Sequence, residues 1–201
     1  MNPRFRLGIT GGIGSGKTTV CKVFEVLGIG VFSADTEAKK IMNNDKVIIR
    51  GINSIAGKDL YKDGSLNRTE LASLIFNDNN ILVKVNSLVH PAVFENFTKW
   101  TLMQSSPYVI MEAAILFESG GAEFVDKIAT VVAPVEQRIK RVIQRNKLSE
   151  EQVMDRMRNQ MDDQERIKHS DFIIQNSEND MIIPSILKIH NEILTLLNSK
   201  S

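Results

Sequence analysis

The sequence predicts an α/β fold: a mostly parallel sheet of about five strands, flanked by helices. Three observations carry this expectation. A glycine-rich stretch, "GITGGIGSGKTTV", joins an apolar start to a helical pattern. Two near-continuous apolar runs, "YVIMEAAILF" and "KIATVVAP", have the character of strands covered on both faces. Helical segments alternate with strands, as right-handed crossovers between parallel neighbours require.

Taken in order, Arg4 to Thr10 reads as the first strand and Lys17 to Leu27 as the first helix. Val20, Val23, Phe24 and Leu27 recur at helical spacing there, and Gly28 is suited to end it. "GVFSAD" predicts a second strand ending at Asp35. From Thr36 to Ser106 no strand is expected; Asn67 to Glu70 resembles a capped helix start, continued by Leu71, Leu74 and Ile75. The two apolar runs are the third and fourth strands, and "DFIIQN" is the fifth. Val135 to Arg145 and Ser149 to Gln160 read as helices, the second opened by a capping box from Ser149 to Gln152. Asp180 to Leu197 is amphipathic and suited to pack on the sheet.

At 201 residues the chain is long enough for one domain with an appended subdomain. Residues 1–35, 107–137 and 161–201 form the expected core, 36–106 a helical insertion, and 138–160 a separate helical pair. Lys+Arg 25 against Asp+Glu 24 gives a net charge of +1, so no global field draws nucleic acid or an anionic membrane. Cys21 is the single cysteine, which excludes an internal disulfide and a cysteine zinc cluster. "MNPRFRLGIT" lacks the marks of a signal peptide, and no run reaches the roughly 18 apolar residues of a membrane span. A soluble, cytoplasmic protein is expected.

Gly11 to Thr18 satisfies GxxxxGK[ST], the phosphate-binding P-loop, and it falls between a strand and a helix. Glycines let the backbone wrap closely, so that N–H groups and the helix N-terminus converge on phosphate oxygens. The expected ATP contacts are Gly12, Ile13, Gly14, Ser15, Gly16, Lys17, Thr18 and Thr19. Lys17 reaches the β and γ phosphates, Thr18 ligates Mg²⁺, and Thr19 adds a hydrogen bond at the α-phosphate. Two look-alikes fail. "NKLS" lacks the aspartate of a guanine-reading motif, and "LSEEQ" has glutamates where a transporter signature needs glycines.

The motif names a nucleotide but no reaction. Asp35 stands where a carboxylate would orient an acceptor hydroxyl and take its proton; the competing role is a helix N-cap. Glu112, inside an apolar run, either holds Mg²⁺ through water or pairs with a structural cation. Arg138, Arg141 and Arg145, at i, i+3 and i+7, predict one helix face of guanidinium groups, either a lid over transferring phosphates or a solvated basic face. The stretch has no aromatic residue for base stacking. Pro91 disfavours the helical conformation at His90, which predicts a histidine turned out at a kink. His169, His190 and Cys21 are expected to play no chemical part.

Together, "GITGGIGSGKTTV", "SAD" before "TEAKKI", "HPAVF", "ILFESG" with "FVDKIATVVAP", "EQRIKRVIQRNKLSEEQVMDRMRNQ" and "SDFIIQN" resemble the dephospho-coenzyme A kinase family over nearly the whole chain. The resemblance implies an α/β nucleotide-binding core, a helical domain for the coenzyme A precursor and a mobile helical lid. It further implies ATP-dependent, Mg²⁺-assisted phosphorylation of a ribose 3′-hydroxyl. By resemblance Asp35 is the catalytic aspartate, Arg141 and Arg145 are lid arginines, Asn176 lies near the adenine, and His90 lies near the acceptor. Two departures stand out: Ser33 replaces an aspartate the family often carries, and "AAILFE" replaces a commoner Pro-Leu-Leu-Phe-Glu. Other readings of the bare motifs are a kinase for another nucleotide, nucleoside or small metabolite, and a non-catalytic ATP-binding switch.

Overall fold

The computed structural model describes residues 4–199. Its strands are β1 (Phe5–Thr10), β2 (Gly30–Ser33), β3 (Tyr61–Lys62), β4 (Ser65–Leu66), β5 (Tyr108–Glu112), β6 (Lys127–Val132) and β7 (Phe172–Gln175). Its helices are α1 (Lys17–Val26), α2 (Ala34–Asn44), α3 (Lys46–Ala56), α4 (Arg68–Asn77), α5 (Asn79–Leu102), α6 (Val135–Asn146), α7 (Glu150–Arg158), α8 (Asp163–Lys168) and α9 (Ile182–Asn198). The chain divides into two compact units, Met1–Ser33 with Trp100–Ser201, and Ala34–Lys99.

The first unit carries a five-stranded sheet in the order β2-β5-β1-β6-β7, every neighbouring pair parallel. Such a sheet must be covered on both faces, which explains why β5 is buried at every position and β6 at all but the first. On one face Val20 and Phe24 of α1 and Ile186, Ile189 and Ile193 of α9 pack against Leu7, Ile9, Ile110, Val131 and Ile174. That apolar contact is the main force placing α1, and hence the loop before it, over the end of β1. Gly28, in the left-handed region at φ 80°, turns the chain from α1 toward β2.

The strand register fixes the carboxyl edge. Glu112 is level with Ile9 on one side and with Ser33 on the other. In open parallel sheets this edge is where ligands collect.

The second unit is helical, with α3 capped by Asp45, whose carboxylate accepts from the amides of Val47 at 2.7 Å and Ile48 at 3.2 Å. Asn67 caps α4 by accepting from Glu70 N, as its sequence predicts. Its hairpin, β3 with β4, corrects the expectation of no strand between Thr36 and Ser106. Asp63 and Gly64 form its turn, both with positive φ. Asp-Gly is the pair that such a turn favours, and it was the available signal.

Two further corrections concern boundaries. β2 ends at Ser33 and α2 begins at once at Ala34, so Asp35 lies in a helix's first turn and not at a strand end. α5 continues through Pro91, so His90 is helical and half-buried, not turned out at a break. Val85, Val89, Val93 and Phe97 bury one face at a spacing of four on both sides of the proline, and this packing outweighs the lost amide. The short helix α8 was not foreseen in the sequence.

Candidate active site

Between β1 and α1 the chain wraps so closely that its glycines are required by shape. Gly14 and Gly16 sit at φ 79° and 97°, where a side chain is strained. A Cβ on Gly14 would stand 2.5 Å from the carbonyl oxygen of Arg138, and one on Gly16 would overlap the side-chain amide of Asn176. The loop is thus closed in by α6 and by the residue after β7. Ser15 N donates to Gly12 O at 3.1 Å, making the turn that leads into α1. Among the described residues, no side chain caps α1 and no acidic residue stands in its first turn. Its positive end is left for an external anion.

Lys17 is 8% exposed, and its Nζ donates to the carbonyls of Gly11 at 2.7 Å and Gly12 at 3.4 Å. A buried ammonium beside such a loop would be a strong electrostatic partner for phosphate. Thr18 and Thr19 are exposed at the start of α1. Asn176 Nδ2 donates to Ser15 O at 2.7 Å, and Arg141 Nη2 donates to Asn176 O at 3.0 Å. A longer contact of 3.5 Å joins Arg141 Nη1 to Gly14 O. The structure therefore gathers the loop, Lys17, Arg141 and Asn176 at one place.

Arg138 departs from the expected exposed face. It is 4% exposed, and Nε donates to Ile13 O at 2.9 Å while Nη1 meets Asp163 Oδ2 at 2.5 Å. Asp163 Oδ1 also accepts from the fully buried Arg166 at 2.6 Å. Burial pulls the Arg138 pKa down, and the Asp163 carboxylate opposes that shift. Opposite these, Gln160 Oε1 accepts from Ile13 N at 2.8 Å. Arginine spacing along a helix cannot reveal that an aspartate from α8 returns to bury one of the three. Gln160, Asp163 and Arg166 carried no motif in the sequence. Arg145, by contrast, is exposed in the last turn of α6, its Nε donating to Asn146 Oδ1 at 2.8 Å.

Glu112, 9% exposed, ends β5. Among the described residues it makes no ion pair with lysine or arginine. With the Thr18 hydroxyl it offers the hard oxygen donors that suit Mg²⁺. Among the described residues no cluster of three or more His, Cys, Asp or Glu side chains forms a metal cage, so water and phosphate oxygens would complete such a site. Cys21 is buried, and burial with the charge of Glu112 pushes its thiol far up, which suits packing and not nucleophilic chemistry.

In the second unit, Asp35 is exposed in the first turn of α2. The ring of His90 lies 6.3 Å from that of Phe94, and burial lowers its pKa.

A central parallel strand, a glycine loop, an uncapped helix and a buried lysine define a P-loop nucleotide-binding protein. The sequence profile of the dephospho-CoA kinase family matches residues 5–181. The chain belongs to that family. It is 40% identical to a dephospho-CoA kinase of Bacteroides fragilis over 185 residues, covering 92% of this chain and 90% of the relative. A crystal structure from Thermus thermophilus superposes with a TM-score of 0.82 at 29% identity, covering 96% of this chain and 98% of the other. A dephospho-CoA kinase from Campylobacter jejuni gives 0.67 at 27% identity, with 94% and 96% covered.

Proposed function

We propose that this chain transfers the γ-phosphoryl of ATP to the ribose 3′-hydroxyl of dephospho-coenzyme A, yielding coenzyme A and ADP, the last step of coenzyme A synthesis. The observation that carries this reading is the family match across residues 5–181, which includes the phosphate loop, the helical unit and the arginine helix.

In this reading Gly12, Gly14, Ser15, Gly16 and the start of α1 hold the β and γ phosphates, with Thr19 beside the α-phosphate. Lys17 exchanges its carbonyl partners for phosphate oxygens, and Asn176 and Arg141 keep the loop closed against the nucleotide. Thr18, and Glu112 through water, would hold Mg²⁺, which would supply positive charge to offset that of the phosphates. Asp35 orients the acceptor hydroxyl and accepts its proton as the oxygen attacks phosphorus. His90 lies on the acceptor side. Residues 138–160 act as the lid: Arg141 is already at the loop, and closure brings the exposed Arg145 onto the charge of the transition state while excluding water. In this reading the reaction takes place in the cytoplasm. No helix among the described residues is long and apolar enough to cross a membrane.

Mass spectrometry of products formed from ATP, Mg²⁺ and dephospho-coenzyme A tests the assignment, with nucleoside monophosphates as competing acceptors. One phosphoryl group added to dephospho-coenzyme A, in preference to the others, is expected. Faster transfer to a monophosphate would move the assignment to another small-acceptor kinase, and no transfer to any acceptor would favour a binding switch.

A further inference from the structure

We propose that Arg138 is a positioning residue for nucleotide binding, holding the tip of the phosphate loop in its binding shape before the nucleotide arrives. The inference rests on the reading of that loop as the ATP site. The carrying observation is that the backbone N–H and C=O of Ile13, which belong to successive peptide units, are both tied to side chains from outside the loop. Arg138 Nε donates to its carbonyl at 2.9 Å, and Gln160 Oε1 accepts from its amide at 2.8 Å. Ile13 is therefore clamped from two directions, with neither group left to turn the tip inward.

Arg138 is itself fixed. Its Nη1 meets one oxygen of Asp163 at 2.5 Å, and the other oxygen of Asp163 meets Arg166 Nη1 at 2.6 Å. Arg166 Nη2 also donates to Met161 O at 2.8 Å and lies 3.8 Å from Glu118 Oε1. Two guanidinium groups, 4% and 0% exposed, thus share one carboxylate, with a second nearby to balance the charge. Gly12 completes the arrangement: a Cβ there would occupy the place of the Arg138 guanidinium, so the plane of that group lies directly against the loop backbone.

This geometry has a use in binding. Anion-binding loops work by presenting N–H groups that are already aligned, because aligning them on arrival consumes binding energy. A guanidinium is suited to the task, since its rigid fork can hold a carbonyl and a carboxylate together. A lysine in its place would keep the charge opposite Asp163 and lose the fork.

The test compares ADP binding by calorimetry in the full-length protein and in Arg138→Gly and Arg138→Lys. Steady-state kinetics follow KM for each substrate. ADP affinity and kcat/KM for ATP should each fall about tenfold to a hundredfold in both variants, the scale of effect for a site misplaced by about 1 Å. KM for the acceptor should stay within about twofold. Methylguanidinium at millimolar concentration should restore part of the ADP affinity in Arg138→Gly and none in Arg138→Lys, where the space is filled; a folding defect alone would show no such rescue. If Arg138→Gly fails to fold, Arg138→Lys decides. ADP affinity within about twofold of the parent in a folded variant overturns the proposal, as does loss in Arg138→Gly without rescue. If the parent binds ADP but leaves dephospho-coenzyme A unphosphorylated, the proposed reaction falls, while the ADP titration still decides the role of Arg138.

Discussion

The side-chain amide of Asn176 donates to the backbone carbonyl of Ser15 at 2.7 Å, joining the residue after the last strand to the phosphate loop near the start of the chain. Asn176→Asp replaces that donor by an acceptor and sets a negative charge beside the phosphate site. ADP affinity should fall about tenfold or more, at about 1.4 kcal/mol per tenfold. Asn176→Ala loses only a hydrogen bond, with a net stability cost of about 0.5–1.5 kcal/mol. Calorimetric titration and denaturant unfolding measure the two; equal ADP affinity in the aspartate variant would separate Asn176 from the nucleotide site.

Lys17→Ala should abolish phosphoryl transfer and weaken ATP, because the ammonium that now rests on Gly11 O and Gly12 O is the nearest fixed cation within the loop. A radiolabelled transfer assay with the purified variant checks this. Measurable transfer at the parental rate would remove Lys17 from the mechanism.

Asp35→Asn should lower kcat by about 10²–10⁴-fold, the range for a positioned acid or base, and leave ATP affinity nearly unchanged. Its place in the first turn of α2 makes the folding consequence small, since the residue is exposed. A near-normal kcat would show that the hydroxyl needs no carboxylate at this position.

Arg145→Ala should cost kcat more than it costs ATP affinity, because an exposed group at the end of α6 reaches the phosphates only on closure. Single-turnover kinetics separate the two effects. A rise in KM alone would contradict the lid role.

Acid should destabilise the fold through two partly buried histidines. Burial lowers the pKa of both His90 and His190, so each folded histidine resists protonation. Well above the ordinary histidine value of about 6.5 neither form is protonated, and the histidine contribution to stability is flat with pH. Below it the unfolded chain binds protons that the folded chain refuses, and stability is lost progressively toward the depressed folded values. His190 Nδ1 lies 2.8 Å from the hydroxyl of the buried Tyr108. His190→Asn, which keeps a polar atom near that hydroxyl, should flatten the fall in Tm between pH 7 and pH 5. An unchanged slope in both His190→Asn and His90→Asn would place the acid sensitivity elsewhere.

Legibility in the sequence followed the range of the interactions. The P-loop, the sheet strands and the Ser149 capping box were readable because each is written in adjacent residues, and the box forms as expected. Asp35 was displaced because β2 passes into α2 with no intervening turn to mark the change. The hairpin at Asp63 and Gly64 has two-residue strands, too short for any periodicity to show. Pro91 misled because a local rule was overridden by a buried face that runs past it. Arg138 could not be told from Arg145 by spacing alone, since what separates them is Asp163.

The sheet order has a consequence for how the protein is made. β1 is synthesised first but occupies the middle of the sheet, and its partners, β5 and β6, begin only at Tyr108 and Lys127. Asn176, one of the side chains that hold the loop, leaves the ribosome later still. A nascent chain therefore carries the phosphate-loop sequence well before the strands and the asparagine that hold the loop in shape.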